Sequence, residues 1–237
     1  MANPYFKFKQ FTVYHDRSSL KVGTDAVLLG AWADITDAKR ILDIGTGSGV
    51  IALMLAQRSA AHIDAIDIDE ESFKQASENF LASLWSERLK AYNISLKIFA
   101  ANSTTKYDLI VSNPPYFTDS YKPADPQRFS ARHNDQLPIN ELASTTAKLL
   151  SENGKFCVIL PVKEAALLTT AARNHGIFPE KELWVYSFTG KEVFRKLILF
   201  GRNENQCQLK ELTIETAPGQ GYSKEYIELT REYYLNF

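Results

Sequence analysis

A glycine-rich turn between an apolar strand pattern and an apolar helix pattern constrains the fold most. The strand pattern ILDI at 41–44 is followed by Gly45-Thr46-Gly47-Ser48-Gly49 and then by VIALMLAQR, whose apolar spacing is helical. A second strand pattern, HIDAID, ends at Asp67, and a long helical pattern follows it. Strands that alternate with helices of this length indicate a mostly parallel sheet with helices on both faces.

Further strand patterns continue the alternation and complete the sheet. Helical patterns around 138–150 and 163–174 separate several of these strands, whereas the last two have no helix between them and predict an antiparallel hairpin at one edge. We therefore expect an α/β fold with a doubly wound, mostly parallel, seven-stranded Rossmann-like sheet and a terminal antiparallel hairpin. The further strand patterns are RLKAYN, YDLIVS, GKFCVILP, ELWVYSF and FRKLILFG.

The beginning of the chain has its own pattern. Residues 5–14 alternate apolar and polar, reach a turn at His15-Asp16 and continue into LKV, which predicts an N-terminal β-hairpin. Helical spacing begins at about Asp25. We expect a short hairpin extension at 1–24 in front of one large domain at 25–237.

Composition excludes several classes of protein. The 237 residues carry 27 Lys and Arg against 28 Asp and Glu, so any contact with nucleic acid has to be local. No apolar run approaches the roughly 18 residues of a membrane span, and no signal-peptide core begins the chain, so we expect a cytoplasmic protein. Cys157 and Cys207 lie far apart without metal-ligand spacing, so no metal is expected. No pattern indicates an obligate protein partner.

The glycine turn and the acid at the end of the second strand indicate a nucleoside cofactor. The turn reads GxGxG, whereas the dinucleotide fingerprint GxGxxG would need a glycine at Val50. Asp67 lies 24 positions after Asp43 and can accept hydrogen bonds from both hydroxyls of a ribose. A tight connection and a solvated strand end remain the simpler interpretation of each feature alone.

This pattern resembles the class I S-adenosyl-L-methionine-dependent methyltransferases. The resemblance implies that Asp43 lies near the methionine amino end of the cofactor, that Asp67 holds the ribose and that Ile68 lies beside the adenine. The turn residues implied to border the cofactor are Gly45, Thr46, Gly47 and Gly49.

The strand YDLIVS ends in Asn113-Pro114-Pro115-Tyr116, followed by Phe117. Two prolines fix the backbone and remove two amide donors, so the Asn113 side-chain oxygen and the Pro114 carbonyl can both accept from one planar NH2 group. Tyr116 offers a ring on which a flat base can stack. The NPPY tetrapeptide resembles that of the amino-methyltransferases that modify exocyclic base nitrogens or the amide of glutamine. A proline turn that only closes a strand is the alternative.

Three further stretches are similar to the bacterial tRNA adenine-N6 methyltransferases that modify the adenine beside the anticodon of a valine tRNA. They are KVGTDAVLLGAW at 21–32, RFSARHNDQLPINEL at 128–142 and YSKEYIELTREYYL at the end. The resemblance implies that Thr24 and Asp25 lie by the cofactor and that Arg132 and His133 lie near the base-binding loop. Phe117 is implied to contact the base.

One position departs from the family pattern. The family commonly has an acid at the end of the third strand, near the adenine amino group of the cofactor, and here that position falls at about Ser95. Ser95, Asn93 or a backbone carbonyl substitutes for the acid, or cofactor affinity is reduced.

Two local basic patches are compatible with tRNA binding. Residues 1–21 and 191–202 each carry a surplus of three positive charges, although solvated faces explain either patch equally well. Methylation of a protein glutamine, methylation of ribosomal RNA or DNA, and a non-catalytic cofactor- and RNA-binding module remain alternatives. The cations are Lys7, Lys9, Arg17 and Lys21 in the first patch and Lys191, Arg195, Lys196 and Arg202 in the second.

Overall fold

The computed structural model describes residues 3–18, 20–115 and 137–237. Its strands are β1 (Tyr5–Lys7), β2 (Thr12–Tyr14), β3 (Arg40–Ile44), β4 (His62–Asp67), β5 (Leu89–Asn93), β6 (Tyr107–Ser112), β7 (Leu150–Leu160), β8 (Phe178–Phe188), β9 (Val193–Gly201) and β10 (Gln208–Glu215). Its helices are α1 (Thr24–Trp32), α2 (Val50–Arg58), α3 (Glu70–Leu81), α4 (Leu96–Asn102), α5 (Ile139–Leu149), α6 (Val162–Arg173) and α7 (Lys224–Thr230), with a 3-10 turn at Ser86–Arg88.

The main sheet has the strand order β10-β8-β9-β7-β6-β3-β4-β5. The five strands from β5 to β7 are parallel, β9 is antiparallel to both β7 and β8, and β10 is parallel to β8. This confirms the doubly wound, mostly parallel fold with an antiparallel hairpin. Within the described residues the sheet has eight strands rather than the seven expected, because the sequence did not predict β10. It is a polar edge strand that buries only Leu212, so it lacks an apolar pattern.

The N-terminal hairpin is present, but its turn is not at His15-Asp16. β1 pairs with β2 from Tyr5 opposite Tyr14 to Lys7 opposite Thr12, so the chain reverses between residues 8 and 11. The turn buries the side chains of Phe8 and Phe11. Because these apolar residues continue the apolar–polar alternation of the strands, the sequence pattern does not reveal the turn. The division at residue 24 stays a prediction.

Helices pack on both faces of the main sheet and create two clusters of buried side chains. The hairpin, α1, α2 and α7 cover one face, with Phe8, Leu28 and Leu53 in its cluster. Helices α4, α5 and α6 cover the other face, with Leu142 and Leu168 in its cluster. Among the helices of the described residues, none is long and apolar enough to cross a membrane.

Candidate active site at the carboxyl edge of the sheet

The strand register brings the separate sequence motifs to one edge. Ile44 at the end of β3 lies opposite Ile66 of β4 on one side and Ser112 of β6 on the other. The buried hydroxyl of Ser112 donates a hydrogen bond of 2.9 Å to the Ile44 carbonyl. The glycine turn after β3, Asp67 at the end of β4 and Asn113 after β6 are therefore neighbours, as expected where ligands bind in such sheets.

The glycine turn adopts backbone conformations that favour glycine. Gly45 and Gly49 have φ angles of 71° and 83°. A Cβ on Gly49 would lie 2.5 Å from the Phe80 ring, whereas no atom of the described residues lies within 4 Å of a Cβ on Gly45. The amides of Gly45 and Thr46 donate to the Ile66 carbonyl at 2.9 and 3.1 Å. The turn is thus fixed by β4 on one side. On the side of the Gly45 Cα hydrogens, the described residues leave room for a ligand.

Asp43 is fully buried below this open space. The Thr46 hydroxyl donates to its Oδ2 at 2.7 Å, and the Ala52 amide also favours the charged carboxylate and so lowers its pKa, although Oδ1 has no partner at hydrogen-bond geometry among the described residues. Burial raises the pKa of Asp43 from 3.8 to about 7, and repulsion from Asp67 adds to the increase. A buried carboxylate with an unused acceptor suits a cationic ligand group, which would favour its charged form.

Asp67 is oriented by two backbone amides. Gly47 donates to its Oδ2 at 2.8 Å and Asp69 donates to its Oδ1 at 2.9 Å. Burial raises the pKa of Asp67. Each carboxylate oxygen can accept a second hydrogen bond, so a diol can still bind. The next residue, Ile68, is half exposed and provides an apolar surface beside the carboxylate.

Strand β5, the third strand of the sequence pattern, places Asn93 opposite Asp67 of β4. The Asn93 side-chain amide donates to the carbonyls of Asp67 and Ile68, both at 3.0 Å, and its side-chain oxygen is a further potential acceptor. The Ser95 hydroxyl instead caps α4 by accepting from the Ile98 amide at 3.4 Å. The two residues considered as substitutes for the missing acid therefore have different local roles.

The described part of the NPPY tetrapeptide follows β6 directly. Asn113 is half-buried, Pro114 is buried and Pro115 is exposed. The other residues expected to contact the base lie outside the described residues; they are Tyr116, Phe117, Arg132 and His133.

Helix α1 also begins at this edge. Thr24 is exposed in its first turn, and Asp25 forms an ion pair of 2.7 Å with Arg195. Because β9 is antiparallel to β7, with Lys196 opposite Leu160, Arg195 lies at the carboxyl edge. The Asp25–Arg195 ion pair thus joins the KVGTD segment to the second basic patch at the carboxyl edge of the sheet.

Several cations of the two patches already bond to other groups of the protein. Lys9 donates to the carbonyls of Arg231 and Phe237, and Arg202 donates to that of Ala147. Lys196 pairs with Glu182, and Arg17 pairs with Glu78. The exposed lysines of the patches are Lys7, Lys9, Lys21 and Lys191, and of these Lys9 is bonded to the two carbonyls named above.

Comparisons with known proteins show which families and folds this chain is similar to. Residues 13–165 match the family model described as methyltransferase small domain. A tRNA1(Val) (adenine(37)-N6)-methyltransferase of Phocaeicola vulgatus is 48% identical over 236 residues and covers 100% of each chain. The enzyme of that name from Aeromonas hydrophila is 44% identical over 235 residues, 98% of each chain. A solved structure of a predicted O-methyltransferase from Agrobacterium tumefaciens aligns over 88% of this chain and 96% of its own, with a TM-score of 0.67 and 16% identity, which shows a shared fold.

Proposed function

The chain belongs to the methyltransferase small domain family and to that of the tRNA1(Val) (adenine(37)-N6)-methyltransferases, and we propose that it methylates N6 of adenine 37 in a valine tRNA. The observation that carries this proposal is the position of Asn113 and Pro114. The Ser112 hydrogen bond to Ile44 holds them beside the open face of the glycine turn. We place this reaction in the cytoplasm, where tRNA is modified.

The described residues fit S-adenosylmethionine, which is the cofactor of this family. The unpartnered Oδ1 of Asp43 would accept from the ammonium group of its methionine part, and Asp67 would accept from its ribose. The open space in front of Gly45 admits a ligand close to the backbone. When bound, the cofactor supplies a methyl group on a positively charged sulfur.

Asn113 and Pro114 would hold the target amino group. The Asn113 side-chain oxygen and the Pro114 carbonyl each accept one N–H of the adenine N6, which directs the nitrogen lone pair at the methyl group. Orientation of the amino group and its fixed hydrogen-bond acceptors therefore accelerate the methyl transfer, and no protein nucleophile is required. The nitrogen would gain one bond to the methyl carbon as the carbon–sulfur bond breaks and S-adenosylhomocysteine leaves, and it would then lose one proton to water.

We assign the remaining base contacts to residues outside the described part of the chain, on resemblance alone. The resemblance implies that Tyr116 and Phe117 stack on the adenine and that Arg132 and His133 lie near the base-binding loop. Anticodon-loop bases are already unpaired, so presenting the base costs less than extracting it from a duplex. The exposed Lys21 and Lys191 would contact phosphates near the same edge.

Incubation with labelled S-adenosylmethionine and three separate substrates tests this function. The substrates are unmodified valine tRNA, ribosomal RNA and a release factor, and nucleoside and peptide mass spectrometry locates the label. We expect N6-methyladenosine in the tRNA alone. Label in ribosomal RNA or in a glutamine side chain, with none in the tRNA, would contradict the proposal.

A further inference from the structure

The segment after the N-terminal hairpin is fixed to one face of α3. Gln75, Glu78 and Asn79 follow the i, i+3, i+4 spacing that places side chains on one helix face. Gln75 accepts from the Arg17 amide at 2.9 Å, and Glu78 forms an ion pair with the Arg17 side chain. Helix α3 thus carries a dedicated binding face for residues 14–17.

Asn79 joins this segment to the glycine turn. Its Oδ1 accepts from the Tyr14 amide at 3.0 Å, and its Nδ2 donates to the carbonyls of Tyr14 and Ser48, both at 2.8 Å. The side chain is 2% exposed, so these hydrogen bonds are made away from solvent. One buried amide therefore connects the hairpin, α3 and the turn in front of α2.

The segment also reaches the front of the turn. The Ser18 hydroxyl lies 3.4 Å from where a Cβ on Gly47 would be, and Gly47 is the residue whose amide orients Asp67. This hydroxyl is buried and has no hydrogen-bond partner among the described residues. An unused donor and acceptor beside the turn points to a ligand or water that the segment helps to bind.

His15 ties the segment to the start of α1 as well. Its Nδ1 accepts from the Val22 amide at 3.2 Å, and its Nε2 lies 3.0 Å from the Asn3 carbonyl. Since Nδ1 accepts, Nε2 carries the proton and donates to Asn3. Residues 14–18 are therefore fixed by the hydrogen bonds of His15 and by the contacts of Tyr14 and Arg17 with α3.

From these contacts we propose that residues 14–18 form one wall of the S-adenosylmethionine site and that Asn79 is the positioning residue that holds this wall against the glycine turn. This inference rests on the proposed function for the identity of the cofactor. It assigns the end of the N-terminal extension to cofactor binding, independently of any contact with tRNA.

The test measures the dissociation constant of S-adenosylhomocysteine by calorimetry and the KM for tRNA. We expect Asn79→Ala to raise the dissociation constant about tenfold or more, the equivalent of 1.4 kcal/mol per tenfold, and to leave the KM for tRNA unchanged. Ser77→Ala is the control on the same helix, because that hydroxyl donates to the Phe73 carbonyl of α3 and bonds to no other element in the described part of the chain. A folded Asn79→Ala protein that binds like the wild type would overturn the inference.

A charge swap keeps the test decisive if Asn79→Ala does not fold. Arg17 and Glu78 are partly exposed, so exchanging their charges does not disturb the core. Glu78→Arg alone should weaken binding of S-adenosylhomocysteine, and adding Arg17→Glu should restore it. No weakening, or no recovery in the double variant, would overturn the inference. If the wild type binds S-adenosylhomocysteine but methylates no tRNA, the proposed function fails while the binding data still decide this inference.

Discussion

The ionisation of Asp43 links the stability of the ligand-free protein to cofactor binding. The position of this acid before the glycine turn was predicted from the sequence, but its pKa was not, because the shift arises from complete burial in the folded state. Between pH 3.8 and about 7 the folded protein holds a proton that the unfolded chain has lost. The stability of the ligand-free protein therefore falls as pH rises through this window. Above about pH 7 the full free-energy cost of ionising the buried Asp43 carboxyl is present.

Asp43→Asn should separate stability from binding. Above pH 7 the variant should be more stable than the wild type, by on the order of 4 kcal/mol from the shift at 1.36 kcal/mol per unit, and near pH 4 the two should be equal. Binding of S-adenosylhomocysteine should be lost, because a neutral amide does not pair with the ammonium group. Denaturant unfolding and calorimetry measure the two effects. A variant that binds normally would contradict the role given to Asp43.

Asn113→Ala should affect the chemical step rather than cofactor binding. Loss of one fixed acceptor should lower kcat about 10²–10³-fold, by analogy with the loss of one oxyanion-hole hydrogen bond. Calorimetry with S-adenosylhomocysteine, alongside single-turnover methylation, distinguishes the two quantities. Equal loss of both would mean that Asn113 is structural.

At the scale of elements, the strength of the apolar pattern decided what the sequence could predict. β3, α2, β4 and α3 follow strong periodic patterns and were predicted. The short helices α4 and α7 and the polar edge strand β10 were not, because seven or eight residues with few buried positions give little periodicity.

The wall of residues 14–18 could not be foreseen for a different reason. It depends on hydrogen bonds between residues about 60 positions apart, such as those joining Asn79 to Tyr14. No local pattern marks them, and Asn79 lies within an ordinary helical segment. The edge formed by the glycine turn, Asp67 and Asn113 was predictable because each motif follows its own strand.

The contact between the glycine turn and α3 gives a prediction at this scale. Gly49→Ala should destabilise the protein by about 1–3 kcal/mol, because the methyl group would lie 2.5 Å from the Phe80 ring at a positive φ. Gly176→Ala is the matched control, since its φ of 71° is also positive but its added Cβ would have no described residue within 4 Å. Thermal unfolding of both variants measures the difference. Equal destabilisation would show that the Phe80 contact contributes nothing.

At the scale of the whole molecule, the N-terminal hairpin and the C-terminal helix α7 pack into the same core. Phe8 of the hairpin and Tyr226 of α7 belong to the same buried cluster as α1 and α2, and Lys9 donates to carbonyls near the C-terminus. The extension is therefore not an independent basic arm. Because the formal net charge is −1, we expect tRNA binding to depend on the exposed lysines at the carboxyl edge.

Replacing Lys21 and Lys191 together by Ala should raise the KM for tRNA and reduce its dependence on salt. Each lost phosphate contact should lower the slope of log affinity against log salt by about one. Binding of S-adenosylhomocysteine should not change. Lys39→Ala is the control, because that exposed lysine precedes β3 at the opposite edge. An unchanged salt slope in the double variant would exclude these lysines as phosphate contacts.

The target nitrogen itself can be tested with two forms of one RNA. Valine tRNA transcripts that carry either adenine or purine, which lacks the exocyclic amino group, at position 37 are incubated with the protein and labelled S-adenosylmethionine. We predict one N6-methyladenosine per molecule in the first transcript and no methylation of the second. Equal methylation of both transcripts would show that the methyl group goes elsewhere, and would contradict the site built from Asn113 and Pro114.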